Sequence, residues 1–210
     1  TSGTIPNAAG DTANFNLDYG TNNKVITIDT TSRTVGILNI GDPGVTYRLV
    51  TIQASGGASL IFNNLGTGAQ LNKSALANNL IDEVTAPVTL ADSLKITLGG
   101  TASGASGENL RVTGVIGESG SARTLTKEGT GGLRLGDANT YTGGTILNAG
   151  EIQIGNPTAT FAGTVTSLGS GPLTINGGTL SARNGNKTIN NAVTVNADFT
   201  LNGPNGGTNA

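Results

Sequence analysis

The carboxylates are the groups in this sequence that come nearest to chemistry. Acid–base cleavage of a glycoside needs two carboxyl groups about 5–9.5 Å apart. Glu108 and Glu128 stand twenty residues apart, so a fold repeating at that interval would stack them. Asp82 and Glu83 are adjacent, and neighbours on a strand point to opposite faces. No basic or aromatic cluster that would hold a sugar accompanies these acids. They are therefore expected as exposed charges, and no catalytic residue is assigned. Histidine and cysteine are both absent. That removes the imidazole base, the thiolate nucleophile, the disulfide and the common zinc and iron–sulfur ligands. Gly10-Asp11, Gly41-Asp42 and Gly136-Asp137 place single acids in glycine turns, and the calcium-binding pattern G-G-x-G-x-D does not occur. Aspartate as a turn residue accounts for them, so neither a metal site nor a cofactor is assigned. Threonine-rich spots at Thr27/Thr30/Thr31, Thr124/Thr126 and Thr164/Thr166 would suit an ice-binding face, but they do not recur regularly. The 11 basic residues are scattered from Lys24 to Lys187 without a cluster, against 13 acids, which argues against nucleic acid as a partner. No stretch is long and apolar enough to span a membrane as a helix. No signal peptide begins at Thr1, so a mature product or a segment is expected.

Composition describes the elements that must position these residues. There are 34 glycines in 210 residues, 3% aromatics and 11% charged residues, with a formal net charge of −2. Glycine and asparagine supply turns, and Thr, Val and Ile favour strands. An all-β chain of many short strands follows. The apolar fraction is 35%, below the roughly 45–50% usual for a globular domain, so a thin elongated core is expected.

Apolar pairs of the form x-apolar-x-apolar recur along the chain. They are Leu38/Ile40, Leu60/Phe62, Val88/Leu90, Leu110/Val112, Leu133/Leu135, Ile152/Ile154, Leu173/Ile175 and Val193/Val195. From Val88 onward the steps are 22, 23, 19, 21 and 20 residues. A looser series (Leu94/Ile96/Leu98, Leu125, Ile146, Val165) falls between them. Each pair reads as a strand with one buried face, and most are followed by Gly or Asn. One coil of a β-solenoid per ~21 residues is expected, with about ten coils in a rod on the order of 50 Å. A β-sandwich is the competing architecture. Residues 1–35 are expected as an N-terminal coil or cap and 36–201 as a β-helix. A loop or helical turn is expected at 64–84, and 202–210 is expected as a turn-like or frayed tail.

The segment 125–155 reads LTKEGTGGLRLGDANTYTGGTILNAGEIQIG. It resembles the autotransporter-associated β-strand repeat of bacterial passenger regions. The matching positions are Leu125, Lys127, Gly129, Gly131, Leu133, Leu135, Asn139, Tyr141, Gly143, Gly144, Thr145, Ile146, Gly150, Ile152 and Gly155. The run ANTYTGGT beside K-x-G-x-G makes the likeness specific. The resemblance implies a right-handed parallel β-helix exported to the cell surface or beyond, a structural repeat with no catalytic residues to carry over. Tandem ten-residue amphipathic strands of a translocating barrel do not appear. From the residues themselves, Gly143-Gly144 would form a corner and Asn139 would turn the chain or stack with other asparagines. Tyr141 would cover a coil edge with its hydroxyl in water, and Lys127 would be solvated or paired with Asp137. The expected role is an extracellular stalk or fibre-forming subunit that associates with itself, end to end. The alternatives are an adhesin-like module for a glycan or cell-surface ligand and, least favoured, a polysaccharide-active enzyme.

Overall fold

The computed structural model describes residues 6–16, 22–41, 49–74, 81–100, 107–136, 138–156 and 163–203. The chain winds through these residues in eight coils. The first holds β1 (Thr12–Phe15), β2 (Lys24–Ile28) and β3 (Arg33–Val35); the second holds β4 (Ile37–Ile40), β5 (Val50–Ala54) and β6 (Leu60–Phe62). The third holds β7 (Ala69–Lys73), β8 (Asp82–Val84) and β9 (Val88–Leu90), and the fourth β10 (Leu94–Leu98), β11 (Leu110–Val112) and β12 (Ile116–Glu118). The fifth has two strands, β13 (Leu125–Glu128) and β14 (Gly132–Leu135). The sixth has β15 (Thr145–Leu147), β16 (Glu151–Ile154) and β17 (Gly163–Thr164), and the seventh β18 (Leu173–Ile175), β19 (Thr179–Ala182) and β20 (Lys187–Thr188). The eighth has β21 (Val193–Val195) and β22 (Thr200–Asn202).

Each coil adds one strand to the first and second stacks, and among the described residues all but the fifth and eighth add one to the third face. The first sheet runs β1-β4-β7-β10-β13-β15-β18-β21 and the second β2-β5-β8-β11-β14-β16-β19-β22. The third face carries β3-β6-β9-β12, then β17-β20. Adjacent strands in these stacks are parallel. With strands about 4.8 Å apart, eight coils make a short rod on the order of 40 Å, fewer than the ten coils expected.

The core is a set of inner columns. On the first sheet one column passes through Ala13, Leu38, Leu71, Ile96, Lys127, Leu147, Ile175 and Val195, in steps of 25, 33, 25, 31, 20, 28 and 20 residues. On the second, Leu110, Leu133, Ile152 and Leu180 stack. These side chains alternate with outward polar ones, as one-faced strands must.

The uniform 21-residue period is therefore corrected. The apolar pairs fall on three different faces. Leu38/Ile40, Leu173/Ile175 and Val193/Val195 lie on the first sheet, Leu110/Val112, Leu133/Leu135 and Ile152/Ile154 on the second, and Leu60/Phe62 and Val88/Leu90 on the third. Leu110 to Leu133 and Leu133 to Ile152 are true coil steps, but Leu38 to Leu60 and Val88 to Leu110 pass from one face to another. Coils two and four are the long ones, Leu38 to Leu71 and Ile96 to Lys127, and in both the corner between first and second sheets is long, Ile40 to Val50 and Leu98 to Leu110. In coil five that corner is only Glu128 to Gly132. Corner length can vary between coils without disturbing the stacked columns. Within 64–84 the described residues hold β7 and β8, both in the stack, and 75–80 lie outside them. Of the tail, 202 and 203 are described, Asn202 closing β22, and 204–210 lie outside.

Stacking of this kind forbids side chains where backbones cross closely. A Cβ on Gly132 would stand 1.9 Å from the Gly107 carbonyl oxygen, whereas one on Gly117 would meet only the Thr140 hydroxyl at 3.3 Å. Gly132→Ala is expected to destabilise the rod by on the order of 1–3 kcal/mol. Gly117→Ala should stay within about 0.5 kcal/mol. Urea midpoints of the two variants measure the difference.

Candidate functional site

The motif residues of 125–155 surround coil five, where the third face has no strand. Asn139 bridges that gap. Its Oδ1 accepts the Ile116 amide of coil four at 2.8 Å, and its Nδ2 donates to the Ser167 carbonyl of coil six at 2.7 Å. The flanking backbone continues the ladder, with the Thr140 amide donating to Ile116 O and the Ser170 amide to Tyr141 O. A side-chain amide thus stands in for a peptide group between two coils. Asn139 also reaches its own turn, at 3.4 Å to Gly136 O, but the inter-coil bonds are shorter. It is not stacked on other asparagines.

Tyr141 is wholly buried, which corrects the wet hydroxyl expected for it. Its hydroxyl donates to Thr145 Oγ1 at 2.6 Å, and Thr145 Oγ1 donates to Leu168 O at 2.9 Å. Burial pushes the phenol well above its ordinary ionisation range. Thr145 and Leu147 point inward, while Ile146 is half-buried on the outer face. Gly144 makes the expected corner at φ +95°, where an added Cβ would lie 2.4 Å from Pro172 O.

Lys127 is neither solvated nor at the surface. β13 places it in the inner column with Leu125, and its side chain is fully buried. The ammonium donates to Glu128 O at 2.7 Å, Gly129 O at 2.8 Å and Ala149 O at 3.2 Å. These carbonyls belong to the tight corners of coils five and six. Gly150, at φ +72°, leaves room for it, since a Cβ there would stand 2.8 Å from Nζ. Asp137, its expected ion partner, lies outside the described residues. Burial pushes Lys127 down to about 8. An amine so poised would be a nucleophile if a substrate reached it, but it is sealed inside the column. Leu125, Leu133, Leu135 and Ile152 are buried core residues, and Gly131 and Gly155 are buried beside them.

The two glutamates are not brought together as a catalytic pair. Glu128 lies on the first sheet, opposite Thr97, and accepts from Asn148 Nδ2 at 2.7 Å. Glu108 precedes β11 on the second sheet, buried, with Arg134 Nη1 at 2.9 Å and Arg111 Nε on its other oxygen. The expectation of exposed loop charge fails for Glu108. Sequence reasoning also passed over a buried ion pair. Lys73 Nζ lies 2.7 Å from Asp82 Oδ2, and Asp82 Oδ1 accepts the Val50 amide. Burial lowers Lys73 as well, against the pull of Asp82. Among the described residues no group of three acids could hold a metal ion.

A second feature was missed, an asparagine ladder on the outer face of the first sheet. Asn39 Nδ2 donates to Asn14 Oδ1 at 2.8 Å and Asn72 Nδ2 to Asn39 Oδ1 at 3.0 Å. After Thr97 and Glu128 it resumes, Asn148 to Glu128, Asn176 to Asn148 and Asn196 to Asn176, each at 2.7 Å. Each asparagine follows an inner-column residue, in Ala13-Asn14, Leu38-Asn39, Leu71-Asn72, Leu147-Asn148, Ile175-Asn176 and Val195-Asn196. That dipeptide was the available signal.

Parallel strands stacked coil on coil, without a helix among the described residues, make this a parallel β-helix. Residues 125–154 match the model of the passenger-associated-transport-repeat family, the same segment whose residues resemble a passenger repeat. No curated protein and no solved structure matches the chain.

Two outcomes follow from this chemistry. Lys127 has a lower pKa folded than the ordinary 10.5, so between about 8 and 10.5 the unfolded chain binds more protons and stability rises with pH. Tyr141 ionises only in the unfolded chain above about 10, which reverses the trend there. The urea midpoint is expected to climb between pH 8 and 10, and Lys127→Met should reduce that slope, with Lys73 supplying the remainder. A wild-type midpoint that falls over this interval contradicts the assignment. Separately, Asn139→Ala should cost on the order of 2 kcal/mol and Tyr141→Phe about 1 kcal/mol in thermal or urea unfolding.

Proposed function

We propose that this chain is a structural, passenger-type rod of a bacterial protein, carried outside the cell, where it spaces or presents other material. The observation that carries this reading is the use of the matched repeat. Lys127, Asn139, Tyr141 and Thr145 spend their polar atoms on bonds that tie coil to coil. A motif so consumed serves the scaffold. The matched family, a passenger-associated-transport-repeat, supports an exported location. The carboxylates nearest to glycosidase chemistry are held in ion pairs and hydrogen bonds on different sheets, which favours a non-enzymatic role.

Antibody against the rod, applied to intact and permeabilised cells that make the full-length protein, tests the location. Labelling of intact cells is expected. Labelling confined to permeabilised cells would overturn it.

A further inference from the structure

We propose that Asn186 is an acceptor for N-glycosylation, its side-chain amide taking a sugar from a diphosphate-linked donor. The proposal rests on the exported-rod reading above and adds a modification to it.

The first support is the sequence. Asparagine accepts N-linked sugar where Ser or Thr stands two residues later and the residue between is not proline. Two triplets meet that rule, Asn72-Lys73-Ser74 and Asn186-Lys187-Thr188. Asn156-Pro157-Thr158 has the spacing, and its proline excludes it.

The second support is placement, which separates the two triplets. Asn72 belongs to the asparagine ladder of the first sheet. Its Nδ2, the atom that would carry the sugar, donates to Asn39 Oδ1 at 3.0 Å, and the residue is half-buried. A sugar on that nitrogen would have to enter the ladder. Asn186 stands at the corner that leads into β20 on the third face. Lys187 and Ile189 turn inward there, Lys187 with its Cε against Gly155 and Ile189 packed on the buried cluster. By strand parity Asn186 and Thr188 point outward together, and both are exposed. Their backbones carry the bonds to coil six. The Asn186 carbonyl accepts the Gly163 amide at 3.1 Å, and the Thr188 carbonyl accepts the Val165 amide at 2.9 Å. The carboxamide and the hydroxyl are thus held on the surface by a fixed backbone, where a transferase can read both. A sugar on Asn186 extends away from the stack and leaves the inner columns as they are.

The transfer forms a bond from Asn186 Nδ2 to the anomeric carbon of the sugar. The bond from that carbon to the diphosphate oxygen breaks, the diphosphate leaves with the electron pair, and Nδ2 releases one proton. The donor is a sugar linked through diphosphate to a nucleoside or to a lipid, and the chemistry at Asn186 is the same for both.

Mass mapping of the full-length protein from the cells that make it tests this. A sugar-sized increment is expected on the peptide that holds Asn186, with fragmentation placing it on that residue, and none on Asn72. Thr188→Ala should abolish the increment with an unchanged urea midpoint, and Thr188→Ser should keep it. An unmodified Asn186 overturns the proposal, as does equal occupancy of Asn72 or an increment that survives Asn186→Gln. Unmodified chain from cell-free synthesis identifies the donor. Modification by the soluble cell fraction with UDP-glucose supports a nucleotide-linked donor, and modification by the membrane fraction supports a lipid-linked one. The location fails separately. Intact cells that label with antibody while Asn186 is bare sink the modification and leave the exported rod, whereas a glycosylated chain found only after permeabilisation sinks the location alone.

Discussion

In a parallel stack every inward side chain looks up and down its own column at the side chains one coil away. Leu110 rests on Leu133, Leu133 on Ile152 and Ile152 on Leu180. No coil has a core of its own, so burial at one level is supplied by the levels above and below. The rest of the structure follows from this. Strands are two to five residues long, since a short face needs only a few inner side chains. Glycines such as Gly132 sit where one coil passes within contact of the next.

The same constraint governs polar groups inside. A buried ammonium or amide must find partners within its own coil or an adjacent one, because close packing in the column leaves it no access to solvent. Lys127 uses carbonyls at the corners of coils five and six, and Lys73 uses Asp82 and the Asn109 carbonyl. Both lysines carry lowered pKa values because burial outweighs nearby negative charge. Their partners are backbone carbonyls and a buried carboxylate, so these two ammonium groups serve the packing of the column.

The fold class was legible because each face repeats apolar residues with period two, as in Val88-Thr89-Leu90 or Leu173-Thr174-Ile175. The phase was not, because all three faces share that pattern and corners vary in length. Leu38/Ile40 and Leu60/Phe62 look alike in sequence and belong to different sheets. The asparagine after inner residues of the first sheet, in Leu38-Asn39, Leu71-Asn72 and Leu147-Asn148, was a partial guide to phase, since Phe62-Asn63 on the third face and Leu201-Asn202 on the second carry the same dipeptide. Parity also carried more than residue type did. In Leu125-Thr126-Lys127 the lysine shares a face with the buried leucine, and in Leu71-Asn72-Lys73 likewise. Reading lysine as solvated overrode that parity. The Tyr141–Thr145 pair was less accessible, since the bond to Leu168 O comes from the next coil and no spacing rule announces it.

An interior of aliphatic residues alone would tolerate slippage, because one Leu column accepts another Leu almost as well. Polar residues do not tolerate it, since their partners exist at a single register. If coil five moved by two residues relative to its neighbours, Asn139 would lose both the Ile116 amide and the Ser167 carbonyl. Lys127 would lose the Ala149 carbonyl in the same movement. The matched repeat lies at the level where the third face passes from β12 to β17 without a strand between them, and where the backbone ladder thins to bonds such as Thr140 N to Ile116 O and Ser170 N to Tyr141 O. Asn139 spans that level from coil four to coil six, and Tyr141 and Thr145 tie its chain to the coil that follows. Side chains thus reinforce these backbone bonds in holding register at the one level of the third face, between β3 and β20, that has no strand.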